Sequence, residues 1–454
     1  MILSVSSRPR KPFAAVKRPT SSPPAFATEN ADALPLPSDP CSGAYNKGAP
    51  NSGAPNSGAS NKGAPNLKEG GRVPMNSATI SAIEWGTLVG QRPRQAGCNS
   101  RLAVHGNDVQ VPLARITTTD GTSGFGACRP LTQQEAHAYL GERVDDLIDA
   151  ANGVAPRAAA LEFPLWDLQG QRTGRPVYQL LAESAGKTVS EPPLVRCYDT
   201  SLYIDDLHLA TDEEGAALIA SEARFGYEHG HRSFKIKVGR GARHMPLLEG
   251  NRRDAAVIRA VRAEVGPDAA ILIDANNGYN LNISKLILAE TADCNLFWLE
   301  EAFHEDGALY EDLHDWIERE GLSTKIADGE GLASPMLLDY ARDGFVDIIQ
   351  YDIFSHGMTN WLETGARLDR WDVGTAPHHY GRHIGNYVSG HLAAAVDGFL
   401  FIEWDEVSTP GLDGSAYQVD EGYVLMPDAP GFALNLDEEL FQKAVASNGF
   451  AVRQ

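Results

Sequence analysis

The sequence predicts an α/β fold, a closed (β/α)8 TIM-like barrel with an α+β capping domain. Eight apolar, β-branched runs follow one another from Val195 onwards, amphipathic helical stretches separate them, and nearly every run ends in an ionisable residue. Eight strand–helix units of this size fit a barrel whose strand ends converge on one mouth. An open doubly wound sheet is the alternative, but no G-x-G-x-x-G sequence follows a strand to favour it.

Residues 1–74 are predicted to be a disordered low-complexity leader. Residues 46–65 repeat a five-residue unit of Asn, Gly, Ala and Pro, as NKGAP, NSGAP, NSGAS and NKGAP. Such a segment has no apolar periodicity with which to build a core. The leader could serve as an interaction tail or a dispensable linker. Alternatively, the natural product begins at Met75, directly before the first strand-like segment.

Charge and composition exclude several function classes. The 454 residues carry a net charge of −21; the leader has nine basic and four acidic side chains, or +5, which leaves −26 for the rest. This balance argues against nucleic acid and anionic membranes as partners. The sequence contains neither a transmembrane run of about 18 apolar residues nor a secretory signal. Five scattered cysteines suggest no zinc site or disulfide framework, so we expect a cytoplasmic protein.

Residues 75–193 are predicted to form the capping domain. Two strands, 78–92 and 109–117, are followed by a hairpin turn at Thr118–Gly121. Residues 132–185 then place apolar side chains at helical spacing. Strands followed by helices indicate an α+β unit.

Residues 194–405 are predicted to form the barrel. The sequence between its strands reads as amphipathic helices, for example at 211–229, 251–265 and 383–396. The eight predicted strands are 195–203, 234–239, 270–276, 296–303, 325–330, 346–352, 372–378 and 400–405.

Three carboxylates stand at the ends of three successive predicted strands. Asp274, Glu300 and Glu330 would point together into the barrel mouth, where they repel one another unless a cation lies between them. Oxygen-only ligands suit Mg²⁺. The alternative is a set of solvated strand-end acids. Strand alternation allows only one of Glu300 and Glu301 to point inward, and we expect Glu300 to be the ligand.

Lys235 and Lys237 are two residues apart on the second predicted strand, so both would face the barrel interior. Two close ammonium groups in a partly dry site are expected to lower each other's pKa, which would make one of them a base near neutral pH. The alternative orientation would leave both lysines on the outer surface of the barrel.

Acid–base candidates also end the last three strands. Asp352 can orient the imidazole of His378, with His379 as the competing histidine. Glu403 lies among aromatic residues on the eighth strand. It would be either a protonated hydrogen-bond donor to an oxyanion or one partner of a structural salt bridge.

At this point the motifs resemble a known family. The chain from about residue 78 to 436 is similar to the enolase superfamily, and specifically to the mandelate racemase subgroup of the mandelate racemase/muconate lactonizing enzyme family. The matching segments are Lys235-Ile-Lys237-Val-Gly, Asp274-Ala-Asn276, Trp298-Leu-Glu300-Glu301, Gly329-Glu330, Asp352, Pro377-His378 and Phe401-Ile-Glu403.

The resemblance implies a role for each of these residues. It implies Mg²⁺ on Asp274, Glu300 and Glu330. It implies Lys237 as a base assisted by Lys235, and the His378–Asp352 dyad on the other face of a small carboxylate substrate. Asn276 and Glu403 match positions that contact the substrate. It further implies a homo-oligomer whose cap includes the carboxyl-terminal segment, residues 406–454.

The shared chemistry is abstraction of the proton α to a carboxylate. We expect a dehydratase that converts a sugar acid (an aldonate or aldarate) to a 2-keto-3-deoxy acid. A racemase or epimerase of an α-hydroxy acid is the alternative. A non-catalytic barrel with an interaction tail is a remote alternative, because this sequence retains every metal ligand and every base of the family's residue pattern.

The sequence departs from the family pattern in three places that concern the substrate pocket. Ala302 replaces a common proline, Tyr351 stands where proline is frequent, and Ser355-His356-Gly357 replaces a glycine pair. His356 would add a substrate contact or a second acid. We expect substrate specificity in residues 90–105, which include four side chains that could meet the distal groups of a substrate: Arg92, Arg94, Arg101 and His105.

Overall fold

The computed structural model describes residues 78–149, 151–331 and 333–454. The predicted leader, residues 1–74, and Met75 lie outside the described residues. The cap begins with a meander whose turn forms as predicted: the Asp120 carboxylate accepts hydrogen bonds from the Thr118 hydroxyl and the Thr122 N–H (2.6 and 3.0 Å). The cap elements that precede the barrel are β1 (Ile80–Ala96), β2 (Gly106–Thr118), β3 (Ser123–Ala127), α1 (Gln133–His137), β4 (Ile148–Asp149), β5 (Gly153–Val154), α2 (Glu162–Thr173) and α3 (Val177–Ser184).

The central domain alternates strands and helices. Its first helix begins with a capping box, in which Thr211 and Glu214 each accept a backbone hydrogen bond from the other. The elements are β6 (Leu194–Leu202), α4 (Asp212–Glu228), β7 (Ser233–Lys237), α5 (Leu247–Val265), β8 (Ala270–Asp274), α6 (Leu281–Glu290), β9 (Leu296–Glu300), α7 (Gly307–Arg319), β10 (Lys325–Asp328), α8 (Leu337–Arg342), β11 (Ile348–Ile349), α9 (Ile353–His356), α10 (Met358–Trp371), β12 (Gly374–Thr375), α11 (Gly385–Val388) and β13 (Ile402–Trp404).

The remaining residues return to the cap. They form β14 (Leu412–Asp413), β15 (Val419–Asp420), β16 (Tyr423–Leu425), β17 (Asn435–Leu436), α12 (Glu438–Asn448) and β18 (Phe450–Arg453). β18 pairs antiparallel with β1 and completes a four-stranded sheet in the order β18-β1-β2-β3. Short 3-10 helices span Val144–Asp146, Pro156–Leu161, Ala292–Cys294 and Ser389–Ala394.

The strands of the central domain form a closed barrel. β6 to β12 are hydrogen-bonded in chain order, and β13 pairs in parallel with β6. A parallel bridge links Thr375 of β12 to Phe399, three residues before β13, and closes the ring. The predicted fold class is therefore confirmed, and the open-sheet alternative is wrong because the first and last strands are neighbours.

An aromatic layer fills the barrel below its mouth. Tyr198, Trp298 and Phe401 are buried, and their rings meet edge to face with centroids 5.4 to 5.9 Å apart. This packing is typical of a barrel interior, which is a core and not a pore. This aromatic layer, the aromatic floor, lies directly below the polar side chains at the barrel mouth.

No helix in the described ranges is long and apolar enough to cross a bilayer. The four cysteines of the described residues, Cys98, Cys128, Cys197 and Cys294, are free thiols.

Candidate active site

The register of three adjacent strands places Lys237, Asp274 and Glu300 in one row. Lys237 pairs with Asp274 across β7 and β8, and Asp274 pairs with Glu300 across β8 and β9. Side chains at paired positions of a sheet point to the same face. The three groups therefore meet at the carboxyl ends of the strands, and the Lys237 ammonium donates to the Asp274 carboxylate.

Glu330 reaches the same place from beyond the end of β10. Gly329 precedes it with φ +126°, a conformation that side chains other than hydrogen rarely allow, and this turn redirects the chain. Ligand oxygens of Asp274, Glu300 and Glu330 all lie within 4.8 Å of one another. The three carboxylates that were separate in the sequence are thus one cluster.

The chemistry of this cluster fits a hard divalent cation. Burial and the charge of Asp274 raise the pKa of Glu300 to about 8, because ionised carboxylates this close repel one another. Oε2 of Glu300 is buried and has no hydrogen-bond partner among the described residues. A buried oxygen without a partner is rare in proteins, and an all-oxygen donor set is the one that Mg²⁺ prefers.

Glu301 also turns toward the cluster, so the argument from strand alternation is wrong here. β9 ends at Glu300, and Glu301 has φ +42°, outside the strand conformation. Its carboxylate accepts hydrogen bonds from the side-chain amides of Asn276 and Asn277, both at 3.0 Å. Asn276 also donates to Glu330 Oε1 at 3.1 Å, and so links the two glutamates.

Lys235 lies one layer below Lys237 and is fully buried. Its ammonium lies 2.8 Å from Glu300 Oε1, 3.0 Å from Glu403 Oε1 and 3.5 Å from Asp274 Oδ2. It also stands 5.2 Å above the centre of the Tyr198 ring, on the aromatic floor. Both lysines face the interior, and the alternative that puts them on the outer surface is wrong.

The expected lowering of the two lysine pKa values is outweighed in the folded site, although the charge of Lys235 does act in that direction on Lys237. Burial lowers the pKa of each ammonium, but the surrounding carboxylates outweigh it and the net shift of both is upward. Asp274 contributes the largest opposing effect at Lys237, and Glu300 does so at Lys235. The sequence showed the two cations but not how many ionised acids surround them.

His378 and Asp352 meet as a dyad. His378 Nδ1 lies 3.2 Å from Asp352 Oδ2, and its Nε2 lies 3.3 Å from Glu330 Oε2. Burial lowers the pKa of His378, but the charges of Glu330 and Glu403 and the contact with Asp352 raise it to about 9. The other Asp352 oxygen accepts the N–H groups of Phe354 and Ser355 at the start of α9, which fixes its orientation.

The competing histidines belong to the packing of the barrel. His379 is fully buried, and its ring contacts the Glu403 carbonyl and not the dyad. His356 packs between Tyr351 and Trp361, with Nε2 2.9 Å from the Thr364 hydroxyl. Burial lowers the pKa of His356 to about 4. The role of His356 as a second acid is therefore not supported by its contacts.

Glu403 is an ion-pair partner and not a protonated donor. Burial raises its pKa, but Lys235 and the two histidines at 378 and 379 bring it well below its ordinary value. Its oxygens also accept hydrogen bonds from the Thr200 hydroxyl and from the N–H groups of His379 and Tyr380, at 2.7 to 3.0 Å. The sequence left open whether Glu403 is a protonated hydrogen-bond donor or a salt-bridge partner, and in the structure it forms a salt bridge with Lys235.

Cap residues cover the mouth beside Lys237. A small cavity of about 30 Å³ is lined by Lys237, Asn276 and Tyr380 from the barrel and by residues 96–99 of the cap, together with Leu102 and His105. Asn99 is buried and donates to the carbonyls of Ala275 (2.8 Å) and Val238 (3.3 Å). This side chain fastens the cap loop to the strand ends of the barrel.

Only part of the predicted specificity set faces this cavity. His105 lines it, with its ring 5.8 Å from that of Tyr380. Arg92 is buried and lies over the Tyr380 ring at 4.7 Å. Arg94 instead pairs with Glu222, and Arg101 donates to the Asn277 carbonyl.

The sequence interpretation missed Tyr203 and Tyr380 in this wall, and it included Asn99 only within the range 90–105 without singling it out. Tyr380 lies two residues after His378, which was a usable signal. Asn99 and Tyr203 carry no motif, and only the folded cap brings them to the mouth.

Comparison with known proteins agrees with the fold and the motif set. Residues 218–440 match the family described as enolase C-terminal domain-like. A mandelate racemase/muconate lactonizing protein from Geobacillus sp. Y412MC10, solved with magnesium and tartrate, is 46% identical; the match covers 84% of this chain and 98% of that chain, with a TM-score of 0.81. A galacturonate dehydratase from Geobacillus sp., solved with D-galacturonate and 5-keto-4-deoxy-D-galacturonate, is also 46% identical, over 83% of this chain and 99% of that chain, with a TM-score of 0.79.

More distant relatives are named for related reactions. An arabinonate dehydratase from Saccharolobus solfataricus is 24% identical over 379 residues, which are 75% of this chain and 93% of the relative. The resemblance that the motifs indicate is thus confirmed by relatives whose matches cover 75% to 84% of this chain. The chain belongs to the mandelate racemase/muconate lactonizing enzyme family of the enolase superfamily.

Proposed function

We propose that the protein is a magnesium-dependent sugar-acid dehydratase, a hydro-lyase, and that its substrate is a hexuronate. One observation carries the proposal: two proton-transfer groups stand at the two ends of one carboxylate cluster. Lys237 is hydrogen-bonded to Asp274, and His378 Nε2 lies 3.3 Å from Glu330 Oε2. A substrate bound at the cluster would have a base on one side and an acid on the other.

In this proposal the chain's own residues carry out the proton transfers. Lys237 removes the proton α to the substrate carboxylate, and His378, oriented by Asp352, gives its proton to the departing β-hydroxyl. Lys235, held by Glu300 and Glu403, maintains positive charge beneath the reacting carboxylate. Magnesium on Asp274, Glu300 and Glu330 would supply Lewis-acid stabilisation of the charge that develops on the substrate and would offset the negative field that raises the pKa of Lys237. The enol product then tautomerises to a ketone.

The relatives support a hexuronate over an aldonate. The galacturonate dehydratase is 46% identical, whereas the arabinonate dehydratase and the D-gluconate dehydratase of Thermoproteus tenax are each 24% identical. In a hexuronate the carbon α to the carboxylate is C5 and the leaving hydroxyl is on C4. The expected product is therefore a 5-keto-4-deoxy sugar acid and not the 2-keto-3-deoxy acid that an aldonate would give.

The test is incubation with Mg²⁺ and D-galacturonate, D-glucuronate, L-arabinonate, D-gluconate or D-xylonate, followed by semicarbazide detection and proton NMR of the product. We expect a 5-keto-4-deoxy product from a hexuronate. Lys237→Ala and His378→Ala should each abolish turnover without a large change in thermal unfolding. A 2-keto-3-deoxy product from an aldonate alone would contradict the substrate class. Deuterium exchange at the α carbon with inversion and no ketone would favour the racemase instead.

Two further features of the proposal concern the environment of the enzyme. We expect a homo-oligomer, because Leu194 and Leu425 pair on neighbouring strands and are 63% and 56% exposed. Light scattering of the purified chain would measure its mass in solution. The free thiols of the described residues support a cytoplasmic location, which fractionation of the native host would test.

A further inference from the structure

A second cavity lies at the junction of the cap and the barrel. Its volume is about 340 Å³, within the range of small-molecule sites. Val111, Cys128 and Ala160 contribute its wall on the cap side, and Phe354 and Ile384 contribute it on the barrel side. It shares no lining residue with the small cavity beside Lys237.

The lining of this cavity combines an apolar surface with two cations. Phe163 and Phe354 meet there with ring centroids 5.0 Å apart. Arg129 and Arg382 also line the cavity, and the described lining contains no acidic side chain. An apolar body and one negative charge are the properties that such a lining complements.

Arg129 is fixed by hydrogen bonds, whereas Arg382 is 45% exposed, and both guanidinium groups retain unused donors. Arg129 donates Nε to the Phe354 carbonyl (3.1 Å) and Nη2 to the Ser355 carbonyl (2.6 Å), while its Nη1 has no hydrogen-bond partner among the described residues. Arg382 lies over the Phe354 ring at 5.2 Å, and its side chain makes no hydrogen bond to another described residue. Its single ion-pair contact in the described structure is with Asp352 Oδ1, at 3.7 Å.

We propose that this cavity is a second ligand site, separate from the catalytic mouth, which binds a small monocarboxylate with a flat apolar body. The apolar body packs between Phe163, Phe354 and Ala160, and the carboxylate accepts hydrogen bonds from Arg129 and Arg382. The site is linked to the dyad, because a carboxylate on Arg382 competes with Asp352 for the same guanidinium. This inference does not depend on the identity of the sugar acid.

Benzoate is the probe, and benzamide is its neutral control of the same shape. Titration calorimetry on the full Mg²⁺-loaded chain should show benzoate binding at least about tenfold more tightly than benzamide, because charge-assisted hydrogen bonds are lost with the amide. Ala159→Leu and Ala160→Leu each fill the cavity and should weaken benzoate binding at least about tenfold. Lys237→Ala, which alters the catalytic mouth and not this lining, should leave the benzoate affinity within about twofold.

Three results would overturn the proposal. They are the absence of benzoate binding at millimolar concentration, equal affinity for benzoate and benzamide, and loss of binding in Lys237→Ala with retention in both leucine variants. The last result would place benzoate at the catalytic mouth. Circular dichroism checks that each leucine variant is folded. If neither folds, the proposal is still tested by comparing benzoate with benzamide on the wild type and by comparing benzoate affinity between the wild type and Lys237→Ala.

Discussion

Replacing Asn99 by alanine should loosen the cap loop over the catalytic mouth without unfolding the protein. The side-chain amide of Asn99 donates to two barrel carbonyls, those of Ala275 and Val238. A hydrogen bond of this kind contributes about 0.5–1.5 kcal/mol net, so the two together hold the loop closed by about 1–3 kcal/mol. The population of the open loop should therefore rise roughly 5- to 150-fold, at about 1.4 kcal/mol per factor of ten.

Hydrogen exchange measures this opening directly. The Ser100 N–H donates to the Gly239 carbonyl at 2.9 Å, so its exchange rate reports whether the loop is seated on the barrel. The rate should rise by the factor given above in Asn99→Ala, and kcat/KM for the sugar acid should fall because Leu102 and His105 no longer line the cavity. The melting temperature should change little, since residues 97–105 contribute no side chain to the hydrophobic core of the described residues.

Arg101→Ala is the matched control in the same loop. The Arg101 side chain is exposed and makes one hydrogen bond within the described residues, to the Asn277 carbonyl, so we expect less than about a threefold change in exchange. Unchanged exchange of Ser100 in Asn99→Ala, or an equal change in the two variants, would refute the reasoning that Asn99 fastens the cap.

Three further predictions test the cluster and the cap. Glu300→Gln should abolish saturable Mg²⁺ binding in calorimetry, whereas Glu301→Gln should retain it. The reverse result would identify Glu301, and not Glu300, as the metal ligand. Gly329→Ala should cost about 1–3 kcal/mol in the free energy of unfolding, because its φ of +126° is strained for alanine, and should weaken Mg²⁺ binding by displacing Glu330. Burial raises the pKa of Asp167 in α2 to about 6, so its protonated form stabilises the fold at low pH and that contribution is lost as the pH rises through 6. Relative to Asp167→Asn, wild type should therefore lose about 2 kcal/mol between pH 4 and pH 7 in urea unfolding, at about 1.36 kcal/mol per pKa unit for the part of the shift that titrates in this interval, and a constant difference would contradict this.

The barrel was predictable because alternation and helical spacing are local properties of the chain. The predicted strands nevertheless run past the observed ones at their carboxyl ends, where Asn276, Glu330 and Asp352 follow the last hydrogen-bonded residue of β8, β10 and β11. These residues carry the candidate chemistry because they have left the ladder and turned into the mouth. A pattern of residue types does not show at which residue a strand ends and the chain turns into the mouth.

The errors at the site share one physical origin, which is that the deciding contacts come from residues distant in the sequence or from backbone beyond a strand end. The mutual effect of Lys235 and Lys237 was visible in the sequence, but the carboxylates that reverse it come from other strands. Glu301 was assigned outward because alternation was extended one residue beyond the strand. Asn99 and Tyr203 act through distant neighbours, and only the closed cap identifies them.

The antiparallel pairing of β18 with β1 has a consequence for the order in which the enzyme can be made. Ala82 of β1 is paired with Arg453 of β18, so this edge of β1 has no partner strand until about 370 further residues have been synthesised. At roughly 5–20 residues per second, that delay is roughly 20–70 s. During translation the β1 edge is an unpaired strand that can add to another chain, and the need for chaperone protection should be greatest in this interval. The last barrel strand, β13, therefore precedes the edge strand of the cap sheet in the chain, and the barrel strands are all synthesised before β18 can pair with β1.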